Sequence, residues 1–304
     1  MNDIYYPAIE LPEGVTIGHA SNSVTGCTAI LCSGAVAGVD VRGGAPGTRE
    51  TDLLHNEKAM NRIDAIVLSG GSAYGLEAAC GVMAHLREQG KGFTVGEKVV
   101  PIVCSAVLFD LNGPDYNYPD SAMGKLAAES ASAQKIPFGK VGAGTGATVG
   151  KIRGLDFADE GGIGSATVRA GEAFVTAVVA VNALGDVTDP ATNKIVAGAH
   201  ANDGTFLDTA GCIISGNFPR LLYGNTTIGC IITNAALDKV QANNLASVAH
   251  NGLARTIRPV HTQHDGDTLF CISKGSVQAD QSMLGVMAEE AVARAVISAV
   301  TRRA

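Results

Sequence analysis

Six strand-like runs recur along the chain: CTAILC (27–32), AVAGVDV (35–41), IDAIVLSG (63–70), AFVTAVVAVNALGDV (173–187), TIGCIITNA (227–235) and TLFCIS (268–273). Several are apolar throughout. A strand with one wet face alternates apolar and polar residues, so an unbroken apolar run belongs to a sheet covered on both faces. The covers are present in the same sequence. Residues 74–88 place Leu76, Ala79, Cys80, Met83 and Leu86 at helical spacing, and residues 237–254 do so with Leu237, Val240, Val248 and Leu253. Residues 280–300 carry a stripe of Leu284, Met287, Ala288, Ala291, Val292, Ala295 and Ala299 behind a candidate N-cap, Asp280. The pattern predicts a mixed α/β fold with helices over sheets. With no low-complexity linker and no fixed repeat, one domain over 1–304 is expected.

Charge and composition narrow the partners. Net charge is −7, and no Lys/Arg cluster offers the phosphate contacts that nucleic acid requires. No stretch is long and apolar enough to cross a membrane, and the first residues, MNDIYYPAIELPEG, lack the basic and apolar regions of a signal peptide. A cytoplasmic protein is the expectation. The seven cysteines lie mostly inside apolar runs, which suits reduced core thiols better than a disulfide framework. His261-x-x-His264 has no second ligand pair at zinc spacing, so neither a metal nor another cofactor is expected. The 38 glycines exceed the usual share of about 7% and point to many tight turns and close backbone approaches.

Two glycine-rich motifs fail as nucleotide sites or elbows. VGAGTGATVGK (141–151) has Thr145 where a phosphate loop needs its first Gly, and Ile152 where it needs Ser or Thr. Its looser dinucleotide form follows no convincing strand. LSGGSAYGL (68–76) has Tyr74 where a nucleophile elbow needs its second Gly. Gly70, Gly71 and Ser72 still make an anion-friendly strand-to-helix turn, with Gly71 and Ser72 as candidate pocket residues.

The stretch PVHTQHDGDTLFCISKG (259–275) sets turn residues, then Thr268, against a buried strand. A threonine hydroxyl is a weak nucleophile without a base. A cut just before Thr268 would supply one, because a free α-amino group has a pKa of about 7.7–8.0. The same hydroxyl can make that cut by attacking the Asp267 carbonyl. A rigid strand start is the right place to hold such a group.

Long stretches then carry a resemblance: VDVRGGAPGTRETDLL (39–54), LSGGSAYGLEAACGVM (68–83), VGAGTGATVGK (141–151), VVAVNALGDV (178–187), NTTIGCIITNA (225–235) and GLARTIRPVHTQHDGDTLF (252–270). In order and over nearly the whole chain, they resemble the DmpA-like self-processing aminopeptidases, a family that includes the nylon-oligomer endo-hydrolases. The resemblance implies a four-layer αββα sandwich of the N-terminal-nucleophile kind, related to the ornithine acetyltransferases. It implies self-cleavage between Asp267 and Thr268 into fragments 1–267 and 268–304, homo-oligomers (often tetramers), and small peptide or amide substrates. It matches Thr268 to the nucleophile, Asn182 to an oxyanion donor and Lys151 to a lysine beside the nucleophile.

The chain also departs from the family pattern. Phe109 stands where relatives carry an active-site tyrosine, which predicts that Phe109 lines the site; Tyr74, Tyr116 or Tyr118 are the candidates for a replacement hydroxyl. The acidic or hydroxyl partners after the nucleophile strand have only Asp280 and Ser282 as candidates. An amide hydrolase is the leading expectation. An acyltransferase using the same acyl-enzyme, or an uncut binding protein, is the alternative.

Overall fold

The computed structural model describes residues 9–216 and 224–301. Its strands are β1 (Thr16–Ser21), β2 (Gly26–Val41), β3 (Ile63–Ser69), β4 (Val103–Val107), β5 (Gly162–Ala170), β6 (Ala173–Asn182), β7 (Thr226–Ala235) and β8 (Thr268–Val277). With the two-residue strand Thr48–Arg49 they form one hydrogen-bonded array in the order β5-β6-β7-β8-β2-β3-β4-(48–49), β1 lying beside β2. The β7–β8 and β3–β4 pairs are parallel and the others antiparallel.

β2 turns this array into two layers. The sequence suggests two strands separated by Ser33-Gly34, but the structure has one. Gly34 takes a left-handed φ of 78°, and the register shifts between Leu31 and Ala35. Such a bulge bends a strand without ending it. The first half of β2 therefore pairs with β3 and the second half with β8.

Alternation along the strands then divides the core. Ile66, Leu68 and Cys104 meet Val178, Ala180, Ile228, Cys230, Phe270 and Ile272 in one cluster between the two groups of strands. The intervening residues face outward. Val179, Ile231, Leu269 and Cys271 pack under helices α3 (Lys239–Thr256) and α4 (Gln281–Thr301). Ala65 and Val67 pack under α1 (Ala78–Glu88) and α2 (Ser121–Glu129). This is the αββα sandwich.

The helices correct some of the sequence reading. The 74–88 segment opens with 3-10 turns, and Cys80 is exposed; Ala78, Ala79, Val82 and Leu86 are the buried stripe. α1 and α2 touch so closely that a Cβ on Gly81 would lie 1.8 Å from the Ser121 carbonyl oxygen, which is why that helix tolerates glycine. In α3, Val240 and Val248 are exposed, and the face on the sheet is Ala242, Leu245, Ala246, Ala249 and Leu253. The small alanines let the helix lie close enough for Asn243 to accept a hydrogen bond from the Val39 N–H, at 2.8 Å. The 173–187 run is likewise cut: β6 ends at Asn182, and a separate strand, Asp186–Asp189, follows.

Candidate active site

Phe270 and Ile272 of β8 face the space between the sheets, so alternation points Thr268 the same way. Val178 and Ala180 of β6 set Asn182 on that inner side too. Register places both at one end of the sandwich, Thr268 opposite Ile228 and Asn182 opposite Thr226. The other sheet arrives at the same end. Asn182 Nδ2 donates to the carbonyl of Phe109, two residues past β4, at 2.8 Å.

Asn182 and Lys151 form a buried network. Lys151 Nζ donates to Asn182 Oδ1 at 2.8 Å, to the Asn182 carbonyl at 3.0 Å and to the Gly224 carbonyl at 3.1 Å. Thr148 N–H also donates to Asn182 Oδ1, at 3.0 Å. Burial pushes the Lys151 ammonium down to about 7, against the pull of the Asp265 and Asp110 carboxylates. All three of its hydrogen bonds go to oxygen acceptors, so in this network the lysine acts as a donor. A cavity of about 280 Å³ opens beside it, lined by Phe109, Leu111, Asn112, Lys151, Leu155 and Asn225 among others. A larger groove of about 660 Å³ between β5 and α4 holds none of these residues.

Thr268 itself is fully buried, and its hydroxyl donates to the Gly266 carbonyl at 3.1 Å. Among the described residues it makes no hydrogen bond to Lys151 or Asn182. The loop before it is pinned down. The Asp267 carbonyl accepts from Arg42 N–H at 2.8 Å, and the Asp265 carbonyl from Ala45 N–H at 2.8 Å. The Asp267 carboxylate takes three donors: Thr227 N–H at 2.6 Å, His261 N–H at 3.1 Å and the His261 ring at 2.8 Å. Asp265 accepts from Thr262 N–H at 2.6 Å. Burial, and then the neighbouring Asp267 charge, raise its pKa.

Thus Asn182, Lys151 and Phe109 share one network, and Thr268, preceded by Asp267, starts β8 two strands away at the same end of the sandwich. Asp280 is not brought there. It caps α4 through Met283 N–H at 3.0 Å, beyond the far end of β8, roughly 30 Å along the strand from Thr268 at ~3.3 Å per residue. Gly71 and Ser72 lie beside Asp110, outside the 280 Å³ cavity, and their turn already holds an anion: Gly71 N–H donates to Asp110 Oδ1 at 2.7 Å. Tyr74 packs against Tyr118 and Tyr116, ring centroids 5.2 and 5.8 Å away, and none of the three lines the cavity. Asp110 and Asp265 were not singled out from sequence, and His261 was weighed there only as a metal ligand. Their one signal was acidic or imidazole groups hard against apolar runs.

Residues 12–304 match the family model described as peptidase family S58. The chain belongs to that family. It is 37% identical to an uncharacterized aminopeptidase of Mycobacterium leprae, over 94% of this chain and 88% of that protein. It is 34% identical to a 6-aminohexanoate-oligomer endohydrolase of an Agromyces species, over 94% and 84%. Among solved structures, an L-aminopeptidase D-Ala-esterase/amidase of Ochrobactrum anthropi, described as a variant of the Ntn hydrolase fold, matches with a TM-score of 0.69 at 18% identity, covering 97% of this chain and 88% of that one. A β-aminopeptidase of a Burkholderia species also matches at 0.69, with 21% identity over 95% and 84%. The S58 chain described here is a hydrolase of the aminopeptidase and amidase kind, built on the Ntn hydrolase fold.

Proposed function

We propose that the chain is a precursor that cuts its own Asp267–Thr268 bond, and that Thr268 is then the nucleophile of an amide hydrolase acting on small peptides, amino-acid amides or related oligoamides. The placement of Thr268 carries this reading. It is the first residue of a buried central strand, its side chain lies between the sheets, and the carbonyl before it is held by the Arg42 N–H.

In the first step the hydroxyl turns from the Gly266 carbonyl to the Asp267 carbonyl carbon. An Oγ–C bond forms, the C–N bond breaks, and the hydroxyl proton ends on the freed nitrogen. Arg42 N–H stabilises the charge that develops on the carbonyl oxygen. Water then hydrolyses the ester, leaving an α-carboxylate on Asp267 and a free amine and hydroxyl on Thr268. That new charge appears beside the Asp267 and Asp265 side chains, both buried. Three carboxylates packed together repel, which drives the severed end away and exposes Thr268. In turnover the α-amino group accepts the hydroxyl proton, the acyl-enzyme forms on Oγ, and water releases it. Asn182 Nδ2 is the oxyanion donor, after giving up the Phe109 carbonyl, and Lys151 holds Asn182 in place.

β8 lies between β7 and β2, so fragments 1–267 and 268–304 stay together as one domain after the cut. Family resemblance adds a homo-oligomer, often a tetramer. The named activities of the relatives supply the substrate panel. Processed protein should hydrolyse L-aminoacyl or 6-aminohexanoyl anilides, and Thr268→Ala should not. Equal turnover by the two proteins would refute the assignment of the nucleophile.

A further inference from the structure

Alternation at the start of β8 puts the two residues of the Asp267–Thr268 bond on opposite faces of their sheet. Thr268 shares the inner face with Phe270 and Ile272, so Asp267 shares the outer face with Leu269 and Cys271, under α3 and α4. The Asp267 carboxylate therefore points to the face away from the Thr268 hydroxyl. It is no base for that hydroxyl, but it can decide where the peptide bond stands.

His261 holds this carboxylate. The ring Nδ1 lies 2.8 Å from Asp267 Oδ2, and the His261 N–H donates to the same oxygen at 3.1 Å. A carboxylate only accepts, so Nδ1 carries the ring proton. The arrangement is strained. His261 has a φ of 57°, in the left-handed region that residues with a Cβ rarely adopt. Its other ring nitrogen, Nε2, is buried without a hydrogen bond among the described residues. A histidine kept for stability alone would have that nitrogen satisfied or in solvent. The ring packs against that of His250 in α3, with centroids 4.9 Å apart. His250 Nε2 donates to the Asp40 carbonyl at 3.0 Å, and burial pushes its pKa down to about 4, so the His261 ring rests on an uncharged wall.

Residue 267 is thus gripped from three sides. Thr227 N–H of β7 holds the carboxylate at 2.6 Å, Arg42 N–H beyond β2 holds the carbonyl at 2.8 Å, and His261 closes the third. We propose that His261 is a positioning residue for the self-cleavage. It takes no proton and forms no bond in the reaction. It locks the Asp267 side chain, so that the Asp267 carbonyl carbon stays within reach of the Thr268 hydroxyl. This rests on the self-cleavage reading above and adds to it a residue that sets the rate of the cut.

Two substitutions fit the left-handed backbone and differ in what they donate. Glycine tolerates the φ and has no side-chain donor. Asparagine also tolerates it, and its Nδ2 stands at the side-chain position of the histidine Nδ1. Followed by intact mass on freshly made chains, His261→Gly should cut about 10- to 100-fold more slowly than wild type, the scale of loss when reacting atoms are misplaced by up to about 1 Å. His261→Asn should recover most of that rate. Asp267→Ala releases the same lock and should slow the cut at least as much, which tests the idea even if His261→Gly folds poorly. Adding His261→Gly to Asp267→Ala should then cost nothing further, because the two residues act through one contact. Wild-type cutting in His261→Gly or in Asp267→Ala, equal slowing by glycine and asparagine, or independent losses in the double variant would each overturn the proposal. A failure of the self-cleavage reading looks different: wild type itself stays whole, and the proposal falls with it.

Discussion

β8 has two ends, and a carboxylate stands at each. Asp280, past the C-terminal end, is exposed, and its side chain accepts one backbone N–H, that of Met283. Asp267, before the N-terminal end, is 1% exposed and takes three donors. Solvent completes the coordination of the first, whereas protein must complete that of the second. The same contrast runs through the sandwich. Phe270 and Ile272 sit in apolar core, while one alternation earlier Thr268 joins the end where Asn182, Lys151, Asp265 and Asp267 are buried together. A fold needs no such concentration of interior polar groups for stability. The groups buried at the Thr268 end are the ones on which the proposed chemistry draws.

Substitutions at the two ends should differ in kind. Asn182→Ala should lower kcat by about 10²–10³-fold, the usual loss for an oxyanion donor, measured on protein already shown to be cut. Lys151→Met should change the pH dependence of stability. Its folded pKa, about 7, lies below the ordinary 10.5. Between those values the unfolded chain holds a proton that the folded chain does not, so raising pH across that window stabilises wild type. Denaturant melts from pH 7 to 10 should show this rise in wild type and a flatter profile in the variant. At the other end of β8, Asp280→Ala should cost only about 1 kcal/mol, the value of a helix N-cap, and leave cleavage and turnover untouched. A large loss of activity there would erase the distinction between the two ends.

The layers were legible because burial on both faces leaves apolar runs that no other environment tolerates, as in 173–182 and 227–235. The face of α3 was misread because a stripe of Ala242, Ala246 and Ala249 is a weaker signal than Val240 and Val248, though small residues are what close packing requires. At the site, Thr268 stood out in sequence as a hydroxyl between turn residues and an apolar strand, whereas Asn182, inside the run 173–187, came only from the family resemblance. Asp110 meets Gly71, and Asp267 meets Thr227, only through tertiary contacts 39 and 40 residues apart, which no local pattern records. Asp280 was legible as a cap, and the cap is what the structure contains.

The central claim is that the Thr268 end of β8 breaks its own chain. Intact-mass measurement of freshly made protein over time tests it most directly. Wild type should convert from one mass to two, those of residues 1–267 and 268–304, with both pieces in one particle on native gel filtration. Thr268→Ala should remain whole, and Thr268→Ser should still cut. A wild-type chain that stays uncut while fully active would contradict the account.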